Sequence, residues 1–186
     1  MLMKAMCELL GDEVLARDGR YGVLEDMYFD CDCWQLCYFT VSCGATQSLV
    51  PVGCVETAAT ARGRISLGLT REQLDGAGGA WPMADAASWL GDIRVCSARG
   101  ALGWRIEAED GPAGVVADLL VDRSTWSIDY VVVNITRPLG AMQVVLPLEW
   151  ADPVDPAASA LRMRRTRAQM CSAPAMSPAS LLRARL

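Results

Sequence analysis

Cys31, Cys33, Cys37 and Cys43 stand close together in the spacing C-x-C-x3-C-x5-C. Four thiolates can hold zinc or an iron–sulfur cluster, which makes this set the sharpest candidate for chemistry in the chain. The spacing weighs against a metal. On one strand Cys33 and Cys37 would lie about 13 Å apart, at ~3.3 Å per residue. A tetrahedral ion gathers its ligands within a few ångströms of one another, and the usual C-x2-C knuckle is absent. A second reading is surface thiols for redox sensing or bridging between subunits. The preferred one is plain small side chains, and no cofactor is expected. The remaining cysteines are Cys7, Cys54, Cys96 and Cys171. The first dozen residues carry no apolar secretory leader, which predicts reduced thiols in a cytoplasmic setting.

Other catalytic chemistry finds little support. The chain has no histidine, the commonest general base and metal ligand. It contains no Gly-x-Ser-x-Gly elbow, P-loop or dinucleotide fingerprint, so a non-enzymatic role is expected. The carboxylates Asp26 and Asp30 recur as Asp118 and Asp122. Acid–base work is conceivable for such pairs, but recurrence at a strand and its turn points to a structural task, accepting backbone hydrogen bonds. Trp34 and Trp126 are expected to start the inward face of a strand and to pack in a core rather than offer a stacking platform.

These recurrences belong to a tandem repeat. Gly22, Asp26, Asp30, Trp34, Tyr38 and Val41 fall on Gly114, Asp118, Asp122, Trp126, Tyr130 and Val133 at an offset of 92. Asp18-Gly19 falls on Asp110-Gly111. Farther on the offset grows by four, so that Pro51 meets Pro147 and Thr70 meets Thr166. A duplicated unit of roughly 75 residues is a small domain rather than a solenoid turn. Each copy opens on a Gly-led apolar strand (residues 11–16 and 103–108) running into an Asp-Gly turn. A second strand follows, 115–121 in the second copy, then a polar turn and a third at 126–133, where apolar and polar residues alternate. Shorter strands are expected at 143–146 and 161–163, matched by 49–52 and 65–69. One short helix closes each copy behind a Thr-x-x-Gln capping box, Thr70 with Gln73 and Thr166 with Gln169. The expected fold is mainly β: two small antiparallel β-barrels in tandem, each followed by a short helix, related by a pseudo-twofold. The boundaries read as 6–79 for the first domain, 80–95 for a linker, 96–174 for the second and 175–186 for a flexible tail.

Charge narrows the partners. Residues 156–186 hold six arginines and no acid, so the remaining body carries 11 basic and 22 acidic residues. An acidic body excludes a broad nucleic-acid face. Arg162, Arg164, Arg165 and Arg167, with the linker tryptophans Trp81 and Trp89, are the candidate partner contacts, although a solvated arginine-rich end is the plainer reading. No run approaches the roughly 18 apolar residues of a membrane-spanning helix.

Both copies resemble PRC-barrel domains, the small β-barrel of the photosynthetic reaction-centre H subunit's cytoplasmic part and of the C-terminal half of the ribosome maturation factor RimM. In the second copy the resemblance lies in residues 102–106, Asp110-Gly111, 114–118, Asp122 and 126–133, and it covers about residues 8–175. It implies a non-enzymatic interaction or assembly module, with a peripheral cytoplasmic-side subunit of a membrane bioenergetic complex as the leading setting. Its partners would be proteins of such a complex or a second copy of the chain, at the inner membrane or in the cytoplasm. A RimM-like RNA or ribosome assembly factor and a thiol-based redox or metal-binding protein stand as alternatives. Cys31, Cys33 and Cys37 replace the charged residues usual at this hairpin, so that charge pattern does not transfer.

Overall fold

A computed structural model describes residues 3–56, 63–77, 94–137 and 140–173. Strands dominate. In chain order they are β1 (Met3–Ala5), β2 (Glu13–Ala16), β3 (Gly19–Asp30), β4 (Leu36–Cys43), β5 (Thr46–Pro51) and β6 (Arg64–Ser66), then β7 (Val95–Ser97), β8 (Arg105–Ala108), β9 (Gly111–Asp122), β10 (Ser127–Arg137), β11 (Gly140–Pro147) and β12 (Ala160–Arg162). The helices are short: α1 (Met6–Leu9), α2 (Arg71–Ala77) and α3 (Arg167–Cys171). The two closing helices follow their strands as the capping boxes predict. Thr166 accepts from the Gln169 amide while the Gln169 side chain takes the Thr166 N–H.

The Asp-Gly turns set the first hairpin of each copy. Gly19 and Gly111 have φ of 131° and 121°, a region closed to most side chains. Gly22 and Gly114 are needed for another reason, since a Cβ there would collide with the carbonyl of Ser42 or Asn134 on the neighbouring strand.

Two sheets of six strands result, in the orders β5-β4-β3-β2-β6 and β11-β10-β9-β8-β12. Each is mixed, where the sequence predicts antiparallel pairing throughout. After β5 and β11 the chain crosses to the opposite end of its sheet, so β6 and β12 arrive parallel to β2 and β8. The sixth member of each sheet comes from the other copy. Strand β1 pairs with β9, Met3 opposite Asp122, and β7 pairs with β3, Val95 opposite Asp30. These two pairings superpose at the 92-residue offset, so the repeats exchange their leading strands.

The seam between the sheets obeys the same pseudo-twofold. Gln35 bridges Ser127, each the equivalent of the other. Beside it the Leu36 N–H donates to the Trp126 carbonyl, and the Ile128 N–H donates to the Trp34 carbonyl, both at 2.9 Å. Side chains from both copies, from Val14 and Phe39 to Val133 and Met170, form one contiguous buried core. Trp34 and Trp126 lie in it as expected.

Candidate functional site

The seam leaves an open groove of about 750 Å³. Its first wall is the turn joining β3 to β4, which presents Asp32, Cys33 and Trp34. That turn is shaped by Asp30, whose carboxylate accepts the Asp32 and Cys33 amides at 2.7 and 3.3 Å. Trp34 takes up a left-handed backbone, φ 61°, and Trp126 repeats it at φ 56°. Such a conformation is unfavourable for a bulky residue and persists only where surroundings enforce it. Here the enforcement is visible: each Trp N–H donates to its own turn, to the carbonyl of Asp30 or Asp122, and each Trp carbonyl serves the other copy.

The opposite wall belongs to the second copy, with Asp129 and Tyr130 from β10 and then Glu149, Asp152 and Arg164. Four carboxylates and one guanidinium thus line the groove, and Asp32 is also paired with Arg94. Arg164 is turned onto that wall, 3.7 Å from Asp152 and donating to the Glu149 carbonyl at 2.6 Å. Burial, then Asp129 and Glu149, push the Tyr130 phenol above its usual range, as expected beside concentrated negative charge. At the pseudo-equivalent positions Asp129, Glu149 and Asp152 become Cys37, Gly53 and Glu56. The acidic character therefore belongs to one groove and is not a property of the repeat.

The paired aspartates perform the structural task expected of them: Asp30 and Asp122 within their own turns, Asp26 and Asp118 between copies. Asp26 accepts the Arg99 amide at 3.0 Å and the Ser97 hydroxyl at 2.5 Å, while Asp118 accepts the Cys7 amide at 3.3 Å. Each holds the other copy's exchanged strand at or just beyond its end. Burial and the adjoining Asp118 carboxylate push the Cys7 thiol up to about 11.

The cysteines need a correction. Cys31 and Cys96 are joined in a disulfide, Cα atoms 6.1 Å apart, where the sequence predicts reduced thiols. The pairing depends on strand exchange, which brings β7 beside the end of β3. Of the four clustered cysteines, Cys31 is thereby committed, Cys33 is exposed in the turn, and Cys37 and Cys43 sit half-buried along β4. The structure does not bring them together, and among the described residues no group of three or more Cys, Asp or Glu side chains is placed to hold a metal ion. At the equivalent of the disulfide, Lys4 replaces Cys96 and Arg123 replaces Cys31. Lys4 stands 3.8 Å from the buried Asp12. Burial raises the Asp12 carboxyl, against the opposing pull of Lys4 and Arg123.

The candidate arginines are spread over their own copy. Arg162 meets Glu107 at 3.3 Å, Arg167 meets Asp110 at 3.4 Å, and the Arg165 guanidinium lies 4.7 Å from the centre of the Trp150 ring. Trp81 and Trp89 lie outside the described residues. The acidic groove escaped the sequence reading because its walls are more than ninety positions apart in the chain. The only available signal was the replacement of Cys37 and Gly53 by acids in the second copy.

No protein-family model matches the sequence, and none of the characterised proteins compared with it is significantly similar. No helix among the described residues is long and apolar enough to cross a membrane.

Proposed function

We propose that this chain is a non-enzymatic docking module, two PRC-barrel-like units fused across a pseudo-twofold, whose seam groove receives a cationic segment of a protein partner. One observation carries the reading: four carboxylates and a single guanidinium line an open groove between the copies. The negative potential of such a groove speeds encounter with a cationic segment and rejects acidic partners. The sequence resemblance suggests the setting, a peripheral cytoplasmic-side subunit of a membrane bioenergetic complex.

The test is tagged purification from native cells in mild detergent, with and without nuclease, beside an Asp129→Asn/Glu149→Gln variant. The expected result is a stoichiometric protein partner, insensitive to nuclease, weakened by raised salt and lost from the variant. Recovery of nuclease-sensitive ribosomal particles, or a partner held equally by the variant, would overturn the proposal.

A further inference from the structure

We infer that the Cys31–Cys96 bond is an oxidative latch that sets one wall of the seam groove; its consequence for binding rests on the docking function proposed above. Cys31 is the root of the turn that carries Asp32, Cys33 and Trp34. Its N–H donates to the Arg94 carbonyl at 2.8 Å, and its carbonyl accepts from Val154 of the second copy at 3.3 Å. Arg94, next to β7, also pairs with Asp32 on the groove wall. The wall, the exchanged strand and the second copy therefore meet at a single residue, and the disulfide is the covalent member of that junction.

Strand β7 makes only three residue pairings with β3, too few to hold a strand firmly without further support. The two halves of the molecule provide that support differently. Beside β1 the positions equivalent to the disulfide hold Lys4 and Arg123 around the buried Asp12, which no thiol reagent alters. Beside β7 the disulfide adds a covalent tie to the Asp26–Ser97 and Arg94–Asp32 contacts. Redox state therefore acts on one exchanged strand and spares its pseudo-symmetric partner.

Formation of the bond balances with a small-molecule disulfide as oxidant. One protein thiolate attacks it, giving a mixed disulfide and one released thiolate, which takes up a proton. The second protein thiol, on losing its proton, displaces the remaining reagent thiol. Two protein thiols become one disulfide while one reagent disulfide becomes two thiols. Closure buries the pair, with Cys31 at 0% and Cys96 at 4% exposure. Reductant and oxidant alike then reach the sulfurs only when β7 lifts.

The experiment compares the full chain oxidised with glutathione disulfide against the same protein reduced with dithiothreitol. It follows amide hydrogen exchange by segment and binding of a fluorescein-labelled octa-arginine peptide. On reduction, exchange at 28–36 and 94–98 should quicken on the order of tenfold, that at 120–122 staying unchanged, and peptide binding should weaken by a similar factor. A Cys96→Ser variant should match the reduced protein and ignore the oxidant, whereas a Cys37→Ser variant, changed outside the groove lining, should respond as wild type. Exchange indifferent to redox state, equal loosening of 120–122, or failure of the oxidant to join Cys31 to Cys96 would overturn the latch. Redox-dependent exchange combined with no peptide binding in either form would uphold the latch and refute the docking function.

Discussion

Individual side chains here mostly serve the joint between the copies. Asp118 is buried and accepts the Cys7 and Leu119 amides. Replacing it with Ala strands two donors, one of them on the exchanged N-terminal segment. We expect Asp118→Ala to lose about 1–3 kcal/mol in urea unfolding, and an exposed acid such as Glu72 to change stability little. The same carboxylate bears on reactivity. Cys7 is exposed, yet its thiol is held up to about 11, so at neutral pH its thiolate fraction is small. Alkylation by iodoacetamide should be slower at Cys7 than at glutathione and should accelerate as pH rises towards 11. Asp18 and Asp110 show the opposite shift. The Arg71 and Arg167 amides, donating from the first turns of α2 and α3, hold these carboxyls below their ordinary value. A folded-state value depressed in this way gives stabilisation that is present above the unfolded value and lost as pH falls through the folded one. Protection of the α2 and α3 amides should therefore decline only below about pH 4, near the unperturbed aspartate value, and Asp110→Asn should remove that pH dependence for α3 alone.

Among the elements, the long central hairpins of each copy are the dependable part and the exchanged strands the conditional one. Strands β3 and β9 are each 12 residues long and meet close-packed partners. At Gly114 that closeness leaves no room for a methyl group, since a Cβ would run into the Asn134 carbonyl. Gly114→Ala should destabilise by about 1–3 kcal/mol through forced strand separation, measurable as a lower urea midpoint at unchanged slope. Strand β7 instead depends on its disulfide, which closes a loop of 65 residues. By the chain-entropy relation this restricts the unfolded state by about 4 kcal/mol. Reduction should lower the thermal midpoint accordingly, in a scan of oxidised against reduced protein.

In the whole molecule, among the described residues, one large core draws on both copies, a small second cluster packs Ala5 against Leu120, Val132 and Val145, and each of the two sheets borrows a strand. Its repeats are therefore parts of a single cooperative unit, and calorimetry should show one transition rather than two. A fragment ending at residue 79 would lack β7, the Cys96 half of the disulfide and the Ser97 and Arg99 partners of Asp26. It should fail to reach a cooperative fold, whereas the full chain folds. Much of this architecture is legible in the residues. The 92-residue correspondence marks the duplication, alternation in 126–133 marks the strand that became β10, and Thr166 with Gln169 marks the start of α3. The tryptophans are legible as core residues, though their left-handed backbones are not, because that conformation comes from carbonyls needed across the seam. By itself the sequence determined what local periodicity and turn chemistry can determine: strand-rich repeats, their hairpins, their closing helices and the structural employment of the paired aspartates. Only the tertiary structure decided the exchange of β1 and β7, the joining of Cys31 to Cys96 and the meeting of Asp32 with Asp129, Glu149 and Asp152. Each of these brings together residues at least 65 positions apart, and such proximity follows from how sheets pack and cross, which no local pattern encodes.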